Sequence, residues 1–348
     1  MDLLFFDGML RGAAGGLFLL LAYLFAGDWK RSLTARVGVM LTIGGACYLS
    51  LPVIPAHLED SLWRVPLMVL SLSTPGLFWL LASSWFDDDF KLRSGHVVAI
   101  IICVVLGIAG NYYYRKFGTG NWPLAIGWRG SSLVFVSLGI FVALRGRKDD
   151  LVESRRRLRL ALSLAIAVVI LGTVFSELPL RGWPPPIGWR MLNAGGLFAL
   201  AATLAVALLG WRDPALLVPP PKPVPHVAPR IEADDTLLLT RLDTDMRHER
   251  LYRQDGLTIT AVAARLGVPE YRLRRAINQG LGARNFNAYL NGFRLQESEE
   301  ALADPAQREV PILTIAMDAG FGSLAPFNRA FRDRHGCTPT EYRATKLF

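Results

Sequence analysis

Guanidinium groups set between apolar anchors are the residues of this chain with the clearest chemical potential. In "LTITAVAARLGVPEYRLRRAINQGLG", Leu257 to Gly282, arginines flank Leu273 and Ile277; in "ILTIAMDAGFGSLAPFNRAFRDRHG", Ile312 to Gly336, they surround Phe327 and Phe331. A guanidinium presents a planar fork of donors, so the chemistry on offer is recognition of anions and base edges, not bond-making. The five histidines (His57, His96, His226, His248, His335) are scattered, no His/Cys/carboxylate spacing suits a metal, and no glycine-rich loop precedes Lys-Ser/Thr. Of three cysteines, Cys47 and Cys103 fall in apolar runs, where the thiol acts as a small hydrophobe. The expectation is a protein that is not an enzyme and uses neither cofactor nor metal.

Two repeated units must position those arginines. Ile259, Val262, Ala263 and Leu266 recur at helical spacing, Gly267 ends that helix, and Pro269 starts a second whose Leu273 and Ile277 face the same core. The pattern returns with Ile315, Ala316 and Ala319, a turn at Gly320, Ser323 as N-cap, and Phe327 and Phe331 four apart. Each is a helix-turn-helix candidate, spanning about 257–282 and 312–336. A longer helix around Asn287 to Leu302 joins them. Upstream, Leu238, Leu242 and Met246 mark an amphipathic helix expected to pack on its own domain rather than on a second copy.

The first two thirds of the chain differ in kind. Up to Trp211 apolar runs dominate, whereas Lys/Arg and Asp/Glu nearly balance beyond Arg230; the overall charge of +9 therefore says little about partners. Seven runs are long enough to cross a hydrocarbon core: Leu10 to Ala26, Val37 to Ile54, Val65 to Trp85, Val97 to Tyr113, Leu124 to Leu144, Leu158 to Ser176 and Met191 to Leu209. Asp2 and Asp7 replace the positive region of a cleaved signal peptide. Lys30, Arg31, Arg36, Lys91, Arg93, Arg145, Arg147, Lys148 and Arg155 to Arg157 gather in alternate loops, which places the N-terminus outside and the C-terminus inside. Trp63, Trp122, Trp128, Trp183 and Trp189 then form an outer aromatic belt.

On that topology Arg11, Arg64, Arg129 and Arg190 each mark the outer end of a helix, and "IGWR" occurs twice. Snorkelling anchors are the plainer explanation. The sharper one is an outward pocket for an anionic ligand, with Trp128, Trp189, Glu177, Asn111 and Asn193 as further polar or aromatic contributors. "RDPALLVPPPKPVPHVAPR", Arg212 to Arg230, carries seven prolines and no glycine. In polyproline II it would act as a spacer of about 50 Å; as a disordered tether it would have no fixed length.

Residues from about Thr236 to Phe348 resemble the DNA-binding domain of AraC/XylS-type transcription regulators. Ile315-Ala316, Gly320-Phe321, Ser323, Phe327, Arg329, Phe331, Gly336, Thr338-Pro339 and Tyr342-Arg343 follow that family's most diagnostic run; Pro269, Ile277 and the spacing in "ARNFNAYLN" depart from it. The resemblance implies that the two second helices enter successive major-groove segments. It assigns base reading to Tyr271, Arg274, Arg275, Leu324, Ala325, Asn328 and Arg329, and makes Arg272, Arg332, Arg334 and His335 phosphate partners. Phe321, Phe327, Phe331, Pro339 and Tyr342 are then core.

The whole reads as an all-α protein: a seven-helix transmembrane bundle (1–211), a Pro-rich linker (212–233) and an AraC-type double helix-turn-helix domain (234–348). The function it implies is sequence-specific promoter binding from the bacterial inner membrane, controlled by a small-molecule signal, anionic if the outer arginines bind it. RNA polymerase and a second copy of the chain are further candidate partners beside DNA and the bilayer. The alternative is a transporter or receptor-like protein whose tail couples uptake to expression or binds a protein.

Overall fold

The computed structural model describes residues 3–54, 62–87, 90–117, 122–147, 149–152, 156, 159, 161, 187–210, 233–283 and 285–347. They form two compact units, Met1–Arg147 with Ser154–Pro220, and Lys148–Glu153 with Pro221–Phe348. Among the described residues there is no named strand, as an all-α reading requires.

The first unit contains α1 (Leu3–Ala26), α2 (Leu33–Ser50, continued by a 3-10 turn to Val53), α3 (Arg64–Phe86), α4 (Ser94–Phe117), α5 (Trp122–Arg145) and α6 (Ile187–Gly210). All six are long and apolar enough to cross a membrane. They match six of the seven predicted runs; the run at Leu158 to Ser176 lies almost wholly outside the described residues, as do Glu177, Trp183 and the proline segment. The helices outlast the apolar runs at several ends. The clearest case is α1, which starts at Leu3, because Asp7 is accommodated inside it by a charge partner.

Helix α1 packs on α2 and α6, and α3 packs on α2, α4 and α5. The distribution of polarity is the reverse of a water-soluble domain. Val97, Val98, Ile101, Ile102 and Val105 lie exposed along α4, while Asp7, Arg11, Thr42, Ser71 and Ser83 are buried. Only an apolar solvent rewards that arrangement, so the six helices fit a membrane domain. Close approach supplies the packing: a Cβ at Gly44 would stand 2.7 Å from the Leu70 carbonyl oxygen, so α2 and α3 meet backbone to backbone there. Across the same contact the Thr34 hydroxyl donates to the Ser84 carbonyl at 2.9 Å.

Arg159 closes the ends of two of these helices. Its guanidinium donates to the carbonyls of Phe86 (2.8 Å) and Ala143 (3.4 Å) and lies 4.8 Å over the Phe86 ring. Those carbonyls belong to the last turns of α3 and α5, which lack intrahelical donors and carry the negative end of the helix dipole.

The second unit contains α7 (Ala233–His248), α8 (Ile259–Leu266), α9 (Glu270–Leu281), α10 (Phe286–Ala303), α11 (Ile312–Asp318), α12 (Leu324–His335) and α13 (Pro339–Leu347). Leu238, Leu242 and Met246 of α7 are buried in one core with Val262, Leu266, Leu273, Ile277 and Phe286, so α7 packs on its own domain. A second core joins Leu295 and Leu302 of α10 to Ile315, Ala316, Phe321, Phe327 and Phe331. Helix α10 thus serves both cores, one on each half of its length.

Candidate nucleic-acid interface

Each reading helix is oriented by its apolar side. In the first unit Thr258 caps α8 by accepting from the Ala261 amide at 3.2 Å, and Gly267 ends it in the left-handed region. The turn aims α9 so that Leu273 and Ile277 are fully buried. In the second, α11 ends at Asp318 and Gly320 turns the chain at a φ of 94°. A Cβ on Gly320 would lie 2.6 Å from the Arg253 Cα, so glycine is required there by space as well as by backbone angle. Ser323 occupies the N-cap position of α12, but its side chain makes no capping hydrogen bond. The helix is held instead by rings: Phe321–Phe327 at 5.1 Å, Phe327–Phe331 at 5.5 Å and Phe331–Tyr342 at 5.3 Å between centroids. Thr338 and Glu341 then start α13 with a reciprocal capping box, the Thr338 amide donating to the carboxylate at 2.7 Å and the Glu341 amide to the hydroxyl at 3.2 Å. These bonds hold the Glu341 carboxyl below its ordinary range.

The polar sides of the two reading helices differ. On α9, Tyr271 is 69% exposed, but Arg274 is only 5% exposed. Arg274 donates Nε and Nη2 to Glu270 Oε1 (2.9 and 2.6 Å) and Nη1 to the carbonyl of Asp150 (2.6 Å). Arg272 and Arg275 share Asp235 near the start of α7, at 3.2 and 3.3 Å. Arg274 is therefore not displayed, contrary to its expected place among the base readers, because it is buried against a carboxylate and a backbone carbonyl. On α12, Ala325, Asn328, Arg329 and Arg332 are exposed, and Leu324 is half-buried against the core. Among the described residues Arg329 has no ion-pair partner. Arg334 and His335, expected to meet phosphates, both reach Glu299 Oε1, at 2.9 and 2.8 Å.

Between the readers, α10 is clamped by charge. Glu297 receives Arg253, whose Nε lies 2.9 Å from Oε2, and Arg250 at 3.2 Å. Burial pushes the Glu297 carboxyl up, yet the arginines outweigh it and hold it below the ordinary carboxylate range. Arg294 donates to the Tyr252 carbonyl at 2.8 Å and lies 5.8 Å over the Phe321 ring, bridging the two halves of the domain.

The family described as "Helix-turn-helix domain" matches residues 262–345, both units together. A relative, "Probable transcription factor PqrA" of Proteus vulgaris, is 30% identical over 94 residues, 27% of this chain and 74% of that protein. The chain belongs to the AraC/XylS-type regulators. No solved structure matches. As an AraC/XylS-type regulator it is a DNA-binding transcription factor, and the six apolar helices among the described residues stand outside the matched region.

Three carboxylates that decide which arginines are displayed were not anticipated from the sequence. Glu270 stands four residues before Arg274 and was legible as a helical pair. Asp235 and Glu299 lie on other helices and left no local signal.

In the first unit the structure brings Arg11 and Arg190 together around a buried carboxylate. Asp7, 2% exposed, accepts from Arg11 Nε at 3.0 Å and Arg190 Nη2 at 2.9 Å, while Arg11 Nη2 reaches the Arg190 carbonyl at 3.3 Å. Both arginines are therefore charge-compensated. Arg64 and Arg129 are half-buried on α3 and α5, and Trp189 is half-buried on α6. The indole nitrogen of Trp128 is enclosed against Gly107 without a hydrogen-bond partner among the described residues. Asn193 accepts from the Tyr48 hydroxyl at 3.4 Å, whereas Asn111 is exposed.

Proposed function

We propose that this protein is a one-component regulator anchored in the bacterial inner membrane, reading promoter DNA with its C-terminal unit under control of a signal received by the membrane unit. The observation that carries the reading is the joining, in one chain, of six membrane-length helices to an AraC/XylS-type domain whose second reading helix displays Asn328 and Arg329. Arginine pairs with guanine O6/N7 and asparagine with adenine, while Leu324 and Ala325 suit thymine methyl groups. Tyr271 and Arg275 read from the first unit, Arg332 meets phosphate, and the N-out, C-in topology puts all of them on the side where DNA is found. The domain limits we assign are 1–211, 212–233 and 234–348, with the loop segment Lys148–Glu153 grouped with the last of these.

The signal is a small anion. Arg64 and Arg129, with Trp128 and Trp189, are the groups assigned to it, whereas Arg11 and Arg190 hold α1 to α6 through Asp7. RNA polymerase and a second copy of the chain are the protein partners that this role calls for.

Selection of bound duplexes by the full chain in lipid nanodiscs, followed by Arg329→Ala, tests the DNA reading. A changed sequence preference supports it, and an unchanged one removes Arg329 from the readers. Reporter fusions after Arg147 test the topology, since a periplasmic signal there would overturn it.

A further inference from the structure

We infer that the segment Asp149–Val152 is an autoinhibitory strap that keeps the first reading helix from DNA. The inference rests on the DNA-reading role proposed above and names how it is regulated. In sequence the segment lies between α5 and the predicted run at Leu158 to Ser176, yet it belongs to the second unit. A polar loop between two membrane runs has no reason to be buried. Here Asp150 is 2%, Leu151 3% and Val152 5% exposed. Leu151 joins the core of the first helix-turn-helix unit. The backbone is held as well: Asp150 bridges Asn285 in antiparallel fashion, and the Phe286 amide donates to the Asp149 carbonyl at 2.8 Å. The Asp150 side chain turns back to accept from the Val152 amide at 3.1 Å.

The Asp150 carbonyl accepts from Arg274. Nη1 donates to Asp150 O at 2.6 Å while Glu270 takes Nε and Nη2, so the donor fork that could span a guanine edge is engaged and buried. Removing the strap takes the Asp150 carbonyl away from Arg274 and uncovers its guanidinium, with Glu270 one helical turn away on the same face. Gly146, Arg147 and Lys148 alone separate α5 from the strap. That tether is short, so a displacement of α5 must be taken up by the strap. The signal therefore travels as tension on a buried four-residue segment.

Two opposed changes test this in the full chain, held in nanodiscs with Cys337→Ser as background. Asp150→Cys with Asn285→Cys uses a directly opposed antiparallel pair of the closer, non-hydrogen-bonded kind, whose Cβ atoms stand about 4.5 Å apart, at the upper end of disulfide geometry. Oxidation locks the strap. Leu151→Ser removes its apolar anchor. The probe is a duplex enriched from a random-sequence pool by the wild-type protein. The oxidised pair should bind it roughly tenfold more weakly than the same protein reduced, and Leu151→Ser more tightly than wild type. Arg274→Ala should then weaken the Leu151→Ser protein and leave the oxidised one unchanged. Equal affinity of oxidised and reduced forms overturns the strap while leaving DNA reading intact. Failure of every form to enrich any duplex overturns the DNA-reading role itself.

Discussion

The two helix-turn-helix units share a fold and differ in how their arginines are held. On α9, Arg272, Arg274 and Arg275 all rest on carboxylates, Asp235 or Glu270. On α12, Asn328 and Arg329 stand open. A paired guanidinium must lose a partner before it gains a base, and exchanging one charge-assisted contact for another leaves a smaller net gain. On the proposed DNA-reading role, the second unit binds through Asn328 and Arg329 as they stand, and the first binds conditionally. Similar helices with similar residue types can divide the labour when the counter-charges differ.

The largest effect that would sharpen this contrast is structural. Phe331→Ala should cost about 3–5 kcal/mol, because its ring is fully buried among Phe327, His335 and Tyr342. Loss of α12 protection in hydrogen exchange, with α9 spared, would show the units to be separable. Survival of α12 would break the comparison at its root.

Next come the readers. Arg329→Ala should weaken binding to the preferred duplex by about 1–3 kcal/mol and relax preference at one position. Arg275→Ala should cost less in the same titration, and Asp235→Asn should raise the contribution of Arg275. Equal losses at both arginines would show that pairing does not decide who reads.

A smaller effect is expected in the connector. The Glu297 carboxyl is held below its ordinary range, so its contribution to stability is complete above the unfolded-state pKa and is lost as pH falls through the folded value. Glu297→Gln should lower stability by about 0.5–1 kcal/mol at neutral pH, the contact being screened by solvent. The difference from wild type should shrink in acid melts; a constant difference would mean that packing, and not charge, holds α10.

The smallest is Glu299→Gln, which releases Arg334 and His335. A slightly steeper salt dependence of DNA binding would place both on phosphates.

Much of the fold was legible because its determinants are local. Period-four apolar residues such as Leu238, Leu242 and Met246, the breaks at Gly267 and Gly320, and the pair Phe327 and Phe331 mark helices and buried faces within a few turns of chain. The apolar runs gave six of the described helices for the same reason. The site was legible as a set of helix faces and not as a set of free side chains. Which arginine is available depends on partners far away in sequence: Asp235 for Arg275, Asp150 for Arg274, Asp7 for Arg190. Arg159 is the same lesson in the first unit. In sequence it falls at the start of the predicted run Leu158 to Ser176, yet it is buried against two helix ends that only the fold brings together.

Helix α10 carries one further consequence. Because both cores share it, it fixes the phase between the two helix-turn-helix units, which on the proposed role is their phase along the DNA. Adding one residue within Phe286–Ala303 would advance the second reader by about 1.5 Å and swing it by about 100°. The duplex would then have to be under- or overwound for both readers to engage. On the proposed role, the operator's helical pitch is written into the length of one α-helix.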